Sequence, residues 1–68
     1  MRVLVNGAPR ELGPGATVEN VVASLPDAPQ GRGLAVALEG EVVPRGQWPS
    51  THLEEGSRVE IVVAVQGG

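Results

Sequence analysis

The chain has 68 residues, enough for one small domain, and a substrate pocket of roughly 300 Å³ or more would take much of so small an interior, so we do not expect an enzyme. It has no cysteine and a single histidine, which excludes a disulfide framework and a cysteine–histidine zinc site. Its five basic residues are scattered arginines and its net charge is −3, so it lacks the basic stripe of a nucleic-acid-binding protein.

A β-hairpin is predicted at the start of the chain. Residues 2–6 place three apolar side chains between the polar Arg2 and Asn6, as in a short strand, and Asn6-Gly7 supplies the positive φ angles that a two-residue hairpin turn requires. The second strand, residues 8–12, contains Pro9, which has no amide hydrogen to donate. We therefore expect that strand to lie at an edge of the sheet.

A short amphipathic helix is predicted next. Thr17 is a candidate N-cap, while Asn20 stands where a full capping box would have Glu or Gln. Apolar side chains then follow at the i, i+3, i+4, i+7 spacing of one helix face: Val18, Val21, Val22 and Leu25. Valine is a mediocre helix former, so we expect packing to hold this helix in place until Pro26 ends it.

Three more strands are predicted after a loop rich in proline and glycine. They cover residues 34–38, 41–43 and 58–65, with turn signals between them. The segment 45–51 is predicted to be irregular around Trp48, the only aromatic residue, which we expect to cover one end of the core.

The predicted fold class is α+β, a mixed sheet with one main helix packed on one face. If the first and last strands are parallel neighbours, the order of elements gives the ubiquitin-like β-grasp arrangement. We expect residues 1–65 to form this domain and residues 66–68 a flexible tail. The predicted core residues are Val3, Val5, Val21, Val22, Leu25, Val36, Val59, Ile61 and Val63.

The Gly67-Gly68 ending is the feature best placed for chemistry. Glycine lets a backbone pass through a narrow channel in which a Cβ would collide, and an extended end can reach deep into a partner while the domain stays outside. Because cysteine is absent, any sulfur handled by this protein must be held on a group other than a thiol. The alternative is a frayed terminus, where glycine is also common.

A docking surface is predicted beside this tail. Strand alternation puts Leu4, Val62 and Ala64 on the face away from the helix. Arg45 could join a docking surface or satisfy loop carbonyls with its planar guanidinium. Scattered exposed apolar side chains are the ordinary alternative.

The chain resembles the ThiS family, the sulfur carriers of thiamine biosynthesis. The resemblance rests on LAVALEGEVVPRGQW at residues 34–48, LEEG at 53–56 and VQGG at 65–68, and it spans almost the whole chain. The Val-Val-Pro-Arg run followed by Trp is more specific than the terminal glycines, which many ubiquitin-like proteins share. Ser57 stands where the family usually has Asp.

The resemblance implies a reaction and a set of partners. A ThiF-type activating enzyme would adenylate the Gly68 carboxylate with ATP, and a sulfur donor such as a cysteine desulfurase would convert it to a thiocarboxylate. Gly67 and Gln66 would give access to that end, and thiazole synthase would receive the sulfur. The carrier itself would bind no cofactor and no metal, and would not be an enzyme.

Several alternatives remain open. Carriers for molybdopterin synthesis or tRNA thiolation share the same chemistry, and a β-grasp interaction module or a covalent protein modifier would share the same fold. No apolar run approaches the length of about 20 residues that spans a bilayer, and the N-terminus lacks a secretory pattern. We therefore expect a cytoplasmic protein with no membrane or direct nucleic-acid partner.

Overall fold

The computed structural model describes residues 1–25 and 33–63. These residues form one five-stranded sheet in the order β2-β1-β5-β3-β4. The strands are β1 (Arg2–Val5), β2 (Ala8–Glu11), β3 (Leu34–Leu38), β4 (Glu41–Val42) and β5 (Arg58–Val63). The helix α1 (Val18–Ala23) follows β2, and a 3₁₀ helix, η1 (Arg45–Ser50), follows β4.

The predicted N-terminal hairpin is confirmed. Asn6 and Gly7 have φ angles of 51° and 83°, as a two-residue hairpin turn with both central residues at positive φ requires. The strand that contains Pro9 pairs with β1 alone and forms one edge of the sheet. Pro9 therefore occupies the kind of strand to which its missing N–H restricts it.

The first and last strands are parallel neighbours at the centre of the sheet. Leu4 is paired with Arg58 and Val5 with Val59, and the Leu4 N–H donates to the Ser57 carbonyl at 2.8 Å. Together with the hairpin and α1, this pairing completes the ubiquitin-like β-grasp fold. The prediction of fold class is confirmed.

Helix α1 begins with a complete capping box, which the sequence did not predict. The Asn20 N–H donates to Thr17 Oγ1 at 3.3 Å, and the Thr17 N–H donates to Asn20 Oδ1 at 2.8 Å. Asparagine has the same carbonyl acceptor as glutamine on a shorter side chain, and here that length suffices. The box satisfies backbone donors that a helix start leaves without intrahelical partners.

The core lies between α1 and one face of the sheet. Seven of the predicted core residues are buried there: Val3, Val5, Val21, Val22, Val36, Val59 and Ile61. Leu25 is partly buried against them. The prediction for Val63 is wrong, because its side chain is 57% exposed.

The exposure of Val63 has a geometric cause. A helix of six residues is about 9 Å long, whereas the six-residue strand β5 is about 20 Å long. Val63 is on the same face as Val59 and Ile61, but at the far end of the strand. Strand periodicity therefore assigned the correct face, while the residues that bury that face stop short of Val63.

Part of the core comes from the segment between β4 and β5, where Trp48 was predicted to cover the core but Val43 and Leu53 were not. Residues 45–50 form η1 instead of irregular chain, and Val43 and Leu53 are buried in the same core as Trp48. Trp48 donates its Nε1–H to the Val43 carbonyl at 2.9 Å, so its one polar group is satisfied while its ring is buried. The expectation that Trp48 covers the core is confirmed.

Ser57 is the one buried polar residue of the described chain. Its Oγ accepts a hydrogen bond from the Glu54 N–H at 2.8 Å, while the Ser57 N–H donates to the Glu54 carbonyl at 2.9 Å. A serine hydroxyl closes the turn into β5 by a local bond to the backbone, as Asp side chains also do. This departure from the ThiS pattern therefore leaves the turn intact.

Several predictions fall outside the described residues: the domain boundary at residue 65, the tail at 66–68 and the helix stop at Pro26. Strand β4 is one residue shorter than predicted, and β5 is described as far as Val63.

Within residues 1–25 and 33–63, neither helix has the length and apolar character needed to cross a membrane.

Candidate functional site

The candidate reactive residues follow β5 in the chain. Gln66, Gly67 and Gly68, together with Ala64, lie outside the described residues. Strand β5 pairs with β1 on one side and with β3 on the other, and its last described residue, Val63, is paired with Leu34. The segment that carries the Gly-Gly pair therefore emerges from the central strand of the sheet.

Asn6 adds a contact to β5 that the sequence did not predict. The Ile61 N–H donates to Asn6 Oδ1 at 2.8 Å, and Asn6 Nδ2–H donates to the Ile61 carbonyl at 3.1 Å. One side chain thus binds both backbone groups of a residue near the end of β5. Only the Asn-Gly turn could be read from the sequence, because the side chain's partner is 55 residues away.

Among the described residues, the sheet has one face covered by α1 and one open face. The open face is the side opposite α1, and on β5 it carries Arg58, Glu60 and Val62, all of which are exposed. Val62 is 63% exposed. Leu4 lies on the same face of β1 and is partly buried. Both residues therefore lie on the face where the sequence analysis placed them.

Leu4 and Val62 are on one face without forming a continuous patch. Leu4 is paired with Arg58, and Val62 is four residues farther along β5, or about 13 Å at the rise of a strand. Glu60 lies between them on the same face. A partner that contacts both must span a charged side chain.

The apolar surface around Val62 continues instead across β3 to β4. Val62 is paired with the exposed residue Ala35, and Ala37 is paired with Val42, which is 74% exposed. Neither these alanines nor Val42 were among the docking residues predicted from the sequence. The alternation in β3 could have indicated Ala35 and Ala37, because both are one residue from the buried Val36.

Arg45 lies apart from Leu4 and Val62. It is the first residue of η1, which packs against α1, and its guanidinium carbon is 5.7 Å from the centroid of the Trp48 ring. This is the distance of a cation–π contact, so Arg45 covers a core side chain. Its predicted part in docking stays a prediction.

The single histidine, His52, and the nearby carboxylate of Glu55 are both exposed. His52 forms an isolated bridge with Thr17, and Glu55 accepts a hydrogen bond from the Arg2 N–H at 3.1 Å. Among residues 1–25 and 33–63, no group of three or more His, Asp or Glu side chains is arranged to hold a metal ion. These residues have structural contacts that account for their positions.

Comparison with known proteins agrees with this geometry. The chain is similar to a crystal structure of a thiamine biosynthesis protein (ThiS) from Geobacter metallireducens, with a TM-score of 0.82, 30% identity and complete coverage of both chains. An NMR structure of a thiamine biosynthesis protein from the same organism gives a TM-score of 0.78 and 30% identity, covering 100% of this chain and 88% of that one.

No significant match was found among curated proteins. The family model described as "ThiS family", however, matches residues 3–68, and so includes every predicted docking and tail residue. The chain therefore belongs to the ThiS family.

Proposed function

We propose that this protein is the sulfur carrier of thiamine biosynthesis, with the Gly68 carboxylate as the group that holds sulfur. Membership of the ThiS family and likeness to thiamine biosynthesis proteins support the carrier role. The observation that carries the proposal is the extent of the family match, which runs to residue 68, so that Gly67 and Gly68 lie within the matched residues.

The fold suits a protein that presents its own chain as substrate. Residues 64–68 follow the central strand, and five extended residues span at most about 18 Å, enough to place a carboxylate inside a partner. Gln66 and the glycines would occupy the partner's channel, where glycine avoids side-chain collisions. Such a carrier needs no cofactor of its own.

The chemistry has three steps. First, the Gly68 carboxylate attacks the α-phosphorus of ATP in a ThiF-type activating enzyme, which forms an acyl adenylate and releases pyrophosphate. Second, the terminal sulfur of a persulfide, formed by a donor such as a cysteine desulfurase, attacks the carbonyl carbon and AMP leaves. Third, a thiol of a partner protein cleaves the resulting S–S bond, which leaves the thiocarboxylate and a protein disulfide.

The partners would dock on the open face of the sheet. Val62 is exposed close to the end of β5, and Leu4 lies on the neighbouring strand. We propose that these residues, with Ala64, contact the activating enzyme and then thiazole synthase, which takes sulfur for the thiazole of thiamine. Arg45 would contribute at a separate point, beside Trp48.

The test is intact-protein mass spectrometry after incubation with ATP, a ThiF-type enzyme and a sulfur donor. The wild-type chain should gain about 16 Da, the difference between sulfur and oxygen. Deletion of Gly68 should abolish the gain and leave the melting temperature nearly unchanged, since a chain terminus contributes little to stability. Gly67→Val should also block the reaction, because a β-branched side chain stiffens the backbone and obstructs a narrow channel.

Gly13→Val is the matched control for Gly67→Val. Gly13 is exposed, and a Cβ there would meet nothing within 4 Å. This variant should be thiolated like wild type. Thiolation of the Gly68 deletion at the wild-type rate would overturn the proposal, and a stable bond to another protein would indicate a modifier instead.

A further inference from the structure

We propose that Asn6 is a positioning residue. Its carboxamide replaces a pair of backbone hydrogen bonds that β1 does not supply to β5, which we call the missing rung. It thereby holds β5 in place close to the segment that bears the reacting terminus. This inference rests on the proposed function in its second half only. The first half concerns the order of β5 and can be tested on the protein alone.

The register shows which rung is missing. Along the parallel pair, the Leu4 N–H donates to Ser57 O and the Asn6 N–H donates to Val59 O, each at 2.8 Å. The next residue of β5 that faces β1 is Ile61. Its regular partners would be the carbonyl of Asn6 and the N–H of Ala8, but the chain reverses at Asn6-Gly7, and Ala8 pairs with Val5 in the hairpin.

The Asn6 side chain supplies both missing groups. Its Oδ1 accepts from the Ile61 N–H at 2.8 Å, and its Nδ2–H donates to the Ile61 carbonyl at 3.1 Å. A primary carboxamide is the side-chain group that offers one acceptor and a donor side by side, as a strand edge does. Asparagine also tolerates the φ of 51° found here, so a single residue performs the turn and completes the rung.

The position of this rung connects it to the carrier reaction. Beyond Ile61, the β1 side of β5 has no further strand within the described chain, and β3 alone pairs with Val62 and Val63. Loss of the rung would let β5 fray from Ile61 onward. The activating enzyme would then have to order the end of β5 during binding, which weakens binding without altering the bond-forming step.

The second hairpin turn of the protein provides a matched control. Glu39-Gly40 has φ angles of 51° and 85°, nearly the same as the Asn6-Gly7 turn. The Glu39 carboxylate also binds the backbone of β5, accepting from the Arg58 N–H at 2.7 Å. That contact is at the start of β5, at the end remote from the reacting terminus. Asn6→Gly therefore removes two side-chain hydrogen bonds toward the end of β5, and Glu39→Gly removes one at its start.

The first measurement is amide hydrogen exchange by NMR. In Asn6→Gly, glycine keeps the turn, and the Ile61 amide should exchange about tenfold faster relative to the Leu4 amide, the usual worth of one or two hydrogen bonds. In Glu39→Gly, the Ile61 amide should exchange at the wild-type relative rate. A change of less than twofold at Ile61 in Asn6→Gly would overturn the proposal.

The second measurement is the steady-state kinetics of adenylation with the carrier as varied substrate. Asn6→Gly should raise KM severalfold with kcat unchanged, whereas Glu39→Gly should leave both parameters unchanged. Asn6→Asp keeps a turn-compatible residue and the acceptor but loses the donor, and it should give an intermediate KM. An unchanged KM in Asn6→Gly would refute the positioning role. Failure of the wild-type chain to react would instead refute the proposed function, and hydrogen exchange would then be the test of whether Asn6 orders β5.

Discussion

The two faces of β5 differ sharply in environment although apolar side chains lie on both. On the covered face, Val59 and Ile61 are 1% and 8% exposed, whereas Val62 on the open face is 63% exposed. Residue type does not separate Val59 from Val62. The difference is that α1 and the residues around η1 cover one face, while no described element packs on the other. An exposed apolar side chain on a central strand is available for contact with a partner protein.

Val63 marks the boundary of the covered face. By strand alternation it lies on the same face as the core residues, yet its side chain is as exposed as that of a surface residue. The reason is that the six-residue helix is too short to bury the whole of β5. The strand is therefore anchored through its middle by the core and at its end by backbone pairing. Substitutions at Ile61, Val63 and Val62 should separate these contributions in order of decreasing effect on stability.

Ile61→Ala should have the largest effect on the free energy of unfolding. Truncation of a buried isoleucine removes its transfer free energy and leaves a cavity, which together cost about 2 to 5 kcal/mol. Urea denaturation, analysed as a two-state transition, measures this change. A loss below about 0.5 kcal/mol would show that the covered face is not packed as described.

Val63→Ala should have a smaller effect, about 1 kcal/mol or less, because more than half of the side chain is already exposed and little buried area is lost. The same denaturation experiment measures it, with Ile61→Ala as the reference for a fully covered position. A loss as large as that of Ile61→Ala would mean that Val63 is packed against residues outside the described part of the chain.

Val62→Glu should change stability least, by about 0.5 kcal/mol or less, since surface substitutions rarely do more. It should nevertheless weaken binding to the activating enzyme by about tenfold or more, because a charge in a desolvated interface is costly. Titration calorimetry measures the affinity. Val42→Glu is the control, since it adds the same charge to the same open face two strands away.

The outcome of this pair of variants bears directly on the proposed docking surface. Equal weakening by both variants would point to net charge, or to a wider surface that includes β4. Unchanged affinity in folded Val62→Glu would remove Val62 from the docking surface.

Local signals in the sequence accounted for most of the fold. The Asn6-Gly7 turn, the Thr17 cap, the apolar run of β3 and the alternation of β5 each depend on a few neighbouring residues, so their structures could be predicted without knowledge of the rest of the chain. Residues 34–48 and the VQGG ending also indicated the ThiS family, which the match over residues 3–68 confirmed. The roles of Gly67 and Gly68 stay predictions.

The features that only the tertiary structure decided all depend on residues distant in sequence. The parallel pairing of β1 with β5 brings Asn6 to Ile61, and the length of α1 leaves Val63 exposed. The fold also brings Val43 and Leu53, which have no periodic pattern, into the core around Trp48. Sequence alternation determines the face on which a side chain lies, because Cβ direction is a local property of the backbone. Whether that face is buried, and what a turn residue can bind, depends on which distant segment packs against it.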